Sequence, residues 1–337
     1  MKKSFLRAGP DRTQTTRQAV QLAFLALNIW IGIEFYRFVL YYETDGQAGL
    51  PQRPPGIEGW LPIASLMNLK AWMETGSLPS IHPAGVFLLI AFLSIAWLLR
   101  KTFCSWLCPV GTFSEYLGKL GRKLFRRNFK LTPWLDLPLR SIKYVLMAFF
   151  VFVVATMSAN QILAFLGGPY GIVADVKLLN FFRTLTLGGV AVLTFLAVAS
   201  MFVQNFWCRY LCPYGGLMGL LALASPLKIK RDAALCIDCG KCAKACPSSL
   251  KVDQLVTISS AECTGCLSCV ASCPVDNTLY MSLAGRRKVP TWALAGGIAA
   301  LFLGCVLIAR STGHWQTNLP QRLYMELVPR ANEFEHP

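Results

Sequence analysis

The stretch Cys236-Ile237-Asp238-Cys239-Gly240-Lys241-Cys242-Ala243-Lys244-Ala245-Cys246-Pro247 is answered 27 residues later by Cys263-Thr264-Gly265-Cys266-Leu267-Ser268-Cys269-Val270-Ala271-Ser272-Cys273-Pro274. Both read C-x2-C-x2-C-x3-C-P. Three thiolates on a tight loop can wrap three irons of a cubane, while the fourth, beside a proline on the following helix, points toward the neighbouring cluster. The doubled run therefore predicts two [4Fe-4S] clusters with interleaved ligands. Cys236, Cys239, Cys242 and Cys273 are assigned to one, and Cys263, Cys266, Cys269 and Cys246 to the other. Zinc knuckles also use C-x-x-C pairs, but two identical four-cysteine runs, each ending in proline, argue against them.

The arrangement is that of bacterial two-cluster ferredoxins, set as an insert at residues 225–288 into a chain of different character. Of 337 residues, 54% are apolar and 15% charged, against about 25% charged in an average soluble domain. With a mean hydropathy of +0.47, disorder is excluded and a membrane protein with one small soluble module is expected. Of 13 cysteines, 12 lie in four tight groups between Cys104 and Cys273, and Cys305 stands alone. Such grouping indicates metal ligation in a reducing compartment rather than a secreted disulfide framework. Nothing in the insert reads as a substrate pocket.

Five apolar stretches are long enough to cross about 30 Å of hydrocarbon: Gln18–Tyr42, Pro83–Leu99, Tyr144–Leu166, Leu185–Phe206 and Val289–Ala309. A sixth, Pro213–Leu227, is shorter and reads as interfacial or re-entrant. The segments outside the spans carry 5, 2, 10, 2, 10 and 3 Lys+Arg in chain order. This alternation places the N-terminus in the cytoplasm and the C-terminus outside the inner membrane. It also accounts for the formal charge of +16 without nucleic acid, for which no recognition motif is present. The expected organisation is a cytoplasmic segment 1–17, a membrane core 18–224, the cytoplasmic ferredoxin module 225–288, a fifth span 289–309 and a periplasmic tail 310–337. The first span is longer than a signal-peptide core and lacks an A-x-A site, so it is expected to stay as an anchor.

An internal repeat organises the core. Phe103-Cys104-Ser105-Trp106-Leu107-Cys108-Pro109-Val110-Gly111 aligns with Trp207-Cys208-Arg209-Tyr210-Leu211-Cys212-Pro213-Tyr214-Gly215 at an offset of 104 residues. Spans one and two then form one copy, and spans three and four a second copy of the same orientation, related by an axis along the membrane normal. The axis would bring Cys104, Cys108, Cys208 and Cys212 together at the cytoplasmic face. On an α-helix, i and i+4 share a face, so the four thiolates could hold a third iron–sulfur cluster or copper. Structural thiols and thiol–disulfide exchange are the alternatives.

The remaining candidates are weaker. Glu34 and Arg37 in span one are spaced to pair with each other. His82, His314 and His336 all lie outside mid-span positions, which argues against an intrinsic bis-histidine haem. Cys305 reads as packing. The segment Pro51–Gly76 suggests a short helix on the membrane that, with Asp175, Lys177, Phe181 and Phe182, would roof a lipophilic site. No G-x-G-x-x-G or Walker loop supports nucleotide chemistry.

Together, the five spans, the two C-x-x-x-C-P turns and the doubled cysteine runs resemble the NapH-type membrane-bound polyferredoxins. These are quinol-dehydrogenase membrane subunits of periplasmic nitrate reductase systems, with relatives in nitrous-oxide and methylamine metabolism. The similarity is closer to the YccM branch, in Gly56-Ile57-Glu58-Gly59-Trp60-Leu61-Pro62, in Phe103 to Thr112 and in Cys236 to Lys244. The resemblance implies an inner-membrane electron carrier with two [4Fe-4S] clusters that exchanges electrons with the quinone pool and a redox partner protein. The rival expectation is an assembly factor that reduces thiols or copper for another respiratory enzyme. The extra C-terminal domain of the copper-oxidase assembly relatives is missing from the resemblance, which weighs against copper handling.

Overall fold

The computed structural model describes residues 11–47, 52–126, 129, 131–285 and 287–336; residues 1–10 of the expected N-terminal segment, and Pro51, lie outside them. In chain order, α1 is Thr13–Glu43, a 3-10 turn covers Pro55–Trp60, α2 is Pro62–Thr75 and α3 is Pro83–Leu98. A π-helical turn, Phe103–Leu107, leads into α4, Pro109–Phe125, and α5, Pro133–Thr156. Then come α6 (Ala159–Gly167), α7 (Pro169–Ile172), α8 (Ala174–Arg183) and α9 (Leu187–Phe202). A second π-helical turn, Trp207–Leu211, opens into α10, Pro213–Leu223. The module consists of β1 (Leu227–Arg231), α11 (Lys241–Ala245), β2 (Thr257–Ile258), α12 (Ser268–Ala271), β3 (Leu279–Leu283) and β4 (Arg287–Lys288). It is followed by α13 (Thr291–Ser311) and α14 (Gln321–Leu327).

The protein is mostly helical, and α1, α5 and α13 are each long and apolar enough to cross a membrane. The α8–α9 pair, bent by 83°, makes a fourth candidate if it is one broken span. The helices differ from the expected spans for local reasons. The third starts earlier and ends at Thr156, because Ser158 opens α6 with a capping box to Gln161. The second shortens to the 16 residues of α3, because Arg100 and Lys101 take left-handed backbone conformations that a helix cannot continue through. The sixth run divides into α10 and the first residues of the sheet.

The chain divides into two compact units. One holds the chain up to Leu25, Phe92–Met147 and Thr194–Leu301; the other holds Ala26–Ala91, Ala148–Leu193 and the chain from Phe302. Each of the five boundaries falls inside one helix: α1, α3, α5, α9 and α13.

The first unit contains the ferredoxin module, an antiparallel sheet in the order β2-β1-β3-β4. Leu227, Ile229 and Arg231 of β1 pair with Leu283, Met281 and Leu279 of β3. Alternation with period two buries Leu227, Ile229, Leu279 and Met281 on one face, where Ile258, Val252 and Val275 complete the core.

The second unit is built around an aromatic core in which Phe35, Phe38 and Tyr42 of α1 pack with Val173, Val176 and Tyr324. The α2 helix starts at Pro62 and ends at the left-handed Gly76. Instead of only lying on a membrane, it buries Met67 and Ala71 against Val154, Ile162 and Leu166. Beside these cores, Arg53 donates to Glu58 Oε1 at 2.6 Å and to Asp175 Oδ2 at 2.6 Å. Glu58 also accepts from the Gly85 N–H at 2.9 Å and from Thr317 Oγ1 at 3.0 Å. His82 shares Nδ1 with Arg53 and reaches the Gly171 carbonyl through Nε2. Burial pushes the Glu58 carboxyl up, but Arg53 and His82 outweigh it and hold it down at about 2.

That network sets a pH dependence. A folded-state carboxyl below its ordinary value contributes stability above about pH 4.5 that is lost as pH falls toward about 2. Arg53→Met leaves two buried carboxylates without their cation and is expected to cost about 3–5 kcal/mol at neutral pH. The deficit should shrink as acid protonates Glu58, opposite in sign to the wild-type response. Thermal unfolding in detergent across pH 4 to 8 checks this, and a deficit that does not depend on pH would count against it.

Candidate functional site

The two thiol turns are built alike. After α3 the chain turns on Arg100 (φ 61°) and Lys101 (φ 51°), and after α9 on Asn205 (φ 59°). In the π-helical turns that follow, the Cys108 N–H donates to the Phe103 carbonyl at 2.9 Å and the Cys212 N–H to the Trp207 carbonyl at 3.0 Å. The expected α-helical spacing of the two thiols therefore gives way to a wider turn, a geometry frequent at functional sites. Cys108 and Cys212 then cap the proline-led helices α4 and α10. Gly111 follows from a close approach, since a Cβ there would stand 2.2 Å from the Cys104 carbonyl oxygen.

Cys104, Cys108, Cys208 and Cys212 lie near enough for the charge of one thiolate to disfavour that of another. Burial, with the neighbouring thiols adding to it, pushes Cys104 up to about 11, Cys108 to about 12 and Cys208 well above its ordinary value. In Cys104 the Lys101 ammonium opposes the shift. Four half-buried neutral thiols become ligands only when a cation stabilises their thiolates. Cys104 Sγ lies 3.9 Å from Met218 Sδ, and the Phe103 ring meets Tyr214 edge-on at 6.0 Å.

The other eight cysteines surround two separate spaces. Cys246, Cys263, Cys266 and Cys269 line one of ≈ 320 Å³, open solvent included, together with Ile229, Leu250, Val252 and Ile258. Cys236, Cys239, Cys242 and Cys273 line the other, of ≈ 350 Å³ on the same measure. The fourth cysteine of each run thus faces the space of the other run. Left-handed residues bend the two loops at matching places, Asp238 and Gly240 in the first, Gly265 and Leu267 in the second. Among the described residues no three His, Cys, Asp or Glu side chains are drawn in as ligands of a single ion. Sulfurs spread around a space suit a multi-atom cluster better than zinc, which holds thiolates about 2.3 Å from the metal.

The remaining sequence candidates have structural partners. Glu34 accepts from Arg37 at 3.0 Å, with the arginine side chain 61% exposed. Asp175 belongs to the Arg53 network, and Lys177 donates to the carbonyls of Ala331 and Phe334. His314 stacks near Phe87, and His336 meets Tyr170 edge-on. Sequence reasoning did not find Arg53 and Glu58 as a buried ion group, since their partners lie as far away as Thr317.

Two family comparisons match the chain. A 4Fe-4S binding domain matches twice, at residues 81–128 and 185–232, and a 4Fe-4S dicluster domain matches residues 229–281. The chain is 50% identical over 330 residues to the "Putative electron transport protein YccM" of Escherichia coli (strain K12), covering 96% of this chain and 92% of that protein. It is 25% identical over 220 residues to the ferredoxin-type protein NapH of the same organism, covering 63% of this chain and 71% of the relative. With the regulatory protein NosR of Pseudomonas aeruginosa it shares 32% identity over 196 residues, 55% of this chain but 25% of that longer protein. No solved structure matches.

The grouping of the cysteines makes a selective prediction. Cys246→Ser should damage the cluster on Cys263, Cys266 and Cys269 and spare that on Cys236, Cys239 and Cys242. Iron counting with EPR of the reduced protein separates the two, and loss of the Cys236 signal instead would reverse the pairing.

Proposed function

The chain belongs to the family of NapH/YccM-type membrane-bound polyferredoxins, and from that premise we propose that it relays single electrons between the quinol pool of the inner membrane and a redox partner protein. The observation that carries the reading is the pair of spaces lined by four cysteines each, with the fourth ligand exchanged between runs. In this reading Cys236, Cys239, Cys242 and Cys273 hold one [4Fe-4S] cluster, and Cys263, Cys266, Cys269 and Cys246 the other. Each cluster, when bound, supplies a site that gains or loses one electron. The protein's own part is to exclude water with Ile229, Val252 and Ile258 and to keep the two sites close on one small sheet. A quinol gives up two electrons and two protons, so two one-electron sites suit it.

Cys104, Cys108, Cys208 and Cys212 are proposed as a third iron–sulfur site between a quinol in the bilayer and the module. Five crossings, with the N-terminus and module cytoplasmic and the C-terminus periplasmic, are part of the proposal. They are supported by the charge alternation and by the five unit boundaries that each fall within one apolar helix. A second reading, copper or thiol reduction for assembly of another enzyme, draws support from the Met218 thioether beside Cys104, since soft sulfur ligands favour copper(I).

Anaerobic purification followed by metal and sulfide analysis separates these readings. The relay predicts close to twelve irons per chain, no stoichiometric copper, and EPR signals that develop when a quinol analogue is added. Eight irons with reduced, metal-free C-x-x-x-C-P thiols would remove the third site, and clusters indifferent to quinol would remove the relay.

A further inference from the structure

The loop Ser260–Cys266, which carries Cys263 and Cys266, is held almost carbonyl by carbonyl. Arg100 Nη2 donates to the Ser260 carbonyl at 3.1 Å and Lys101 Nζ to that of Ala261 at 3.3 Å. Ser105 Oγ donates to the Thr264 carbonyl at 2.6 Å, Trp106 Nε1 to Gly265 at 3.2 Å and Gln14 Nε2 to Cys266 at 3.0 Å. Lys143 Nζ grips both oxygens of the Glu262 carboxylate at 2.7 Å, and the Tyr144 hydroxyl donates to one of them at 3.0 Å. These donors lie outside the module, at the start of α1, just after α3, in the middle of α5 or within the first thiol turn. Gly265 makes the approach possible, because a Cβ would come within 2.8 Å of Thr102. Gly219 of α10 does the same for the second repeat, its Cβ position standing 2.9 Å from the Ala261 carbonyl oxygen.

The other cysteine loop is more open to solvent. Cys239 is exposed, and neighbouring Ile237 is 42% exposed. Arg100, Lys101, Trp106 and Lys143 are all buried. A buried ammonium close to a redox site stabilises the form carrying one more negative charge. Net charge, hydrogen bonding and solvent exposure are what set iron–sulfur potentials.

We infer that the Cys246, Cys263, Cys266, Cys269 set is the membrane-side site of the pair, that the Cys236, Cys239, Cys242, Cys273 set is the face offered to the partner protein, and that Lys101 is a positioning residue that raises the potential of the membrane-side site. The inference rests on the proposed two-cluster reading. Reduction at either site adds one electron; no bond is made or broken, and no proton is required.

The test uses the full-length protein in detergent with its clusters in place, the EPR signal of the Cys246 set assigned through Cys246→Ser and that of the Cys236 set through Cys239→Ser. Lys101→Gln should shift the midpoint of the Cys246-dependent signal downward and leave the other where it was, and Lys101→Arg should restore it. A water-soluble paramagnetic relaxation agent should broaden the signal of the Cys236 set and spare that of the Cys246 set. Equal broadening of both, or a shift confined to the Cys236 signal, overturns the inference. If Lys101→Gln fails to fold, Ser105→Ala should raise amide exchange selectively at residues 263–267, and unchanged exchange there would equally overturn it. Quinol that reduces neither cluster would defeat the relay, while the potentials and relaxation data still decide which site faces the membrane.

Discussion

The Ser260–Cys266 loop, which carries Cys263 and Cys266, lies in neither a strand nor a helix, so its carbonyls lack the partners that secondary structure would provide. Buried without partners, each would cost about 1–3 kcal/mol. Here the Ser260–Cys266 loop is half-buried, with Cys263 and Gly265 fully so, and the carbonyls of Ser260, Ala261, Thr264, Gly265 and Cys266 accept from side chains beyond the module, two of them the cations Arg100 and Lys101. Much of the first unit follows from this constraint. Ser105 and Trp106 must project from the thiol turn toward Thr264 and Gly265, Gln14 must begin α1 beside Cys266, and Lys143, midway along α5, must neutralise Glu262.

The same constraint explains why the two repeats, alike in backbone, differ in chemistry. The sequences α3, π-helical turn, α4 and α9, π-helical turn, α10 coincide at an offset of 104 residues, down to the left-handed backbone at Lys101 and Asn205. The first copy has Lys101, Ser105 and Trp106 where the second has Asn205, Arg209 and Tyr210. In the second copy those positions look elsewhere: Arg209 and Tyr210 both donate to Asp136 of α5. The first turn grips the module through hydrogen bonds, and the second leads into it covalently through α10 and β1. Glycine serves both copies, with Gly118 and Gly121 of α4 close to Gln204 and the Met201 carbonyl, and Gly219 close to Ala261.

The spacing of the eight module cysteines was legible because ligand loops are local: the information for the turn lies between the cysteines. Membrane character and the repeat were legible from composition and from an alignment of nine residues. Helix limits were not, because Arg100 and Lys101 read as a basic flank and give no sign of positive φ, and because Ser158 interrupts an apolar run that hydropathy treats as continuous. The π-helical turns were missed for a similar reason, since C-x-x-x-C matches an α-helical period equally well. Least legible were the long-range polar contacts. Arg53, Glu58, Asp175 and Thr317 carry no mutual spacing, and the acceptors at Ser260 to Cys266 are backbone atoms, which leave no trace in residue type.

The division of the chain bears on how electrons could cross a membrane. The twelve clustered cysteines all fall within Phe92–Met147 and Thr194–Leu301 of the first unit, and the second unit holds Cys305 alone. The polar groups of that second unit are engaged in one another: Arg53 with two carboxylates, His82 with Arg53 and Gly171, Lys70 with carbonyls at the end of α5. Such saturation stabilises a fixed arrangement and leaves no ladder of redox groups among its described residues. On the proposed relay reading, electrons would be exchanged within the first unit, and the quinol itself would provide the crossing by diffusing within the bilayer. The proposed thiol site would then need only to meet quinol near the end of α3, where buried Lys101 donates to the Ala261 carbonyl and its charge opposes the upward shift at Cys104.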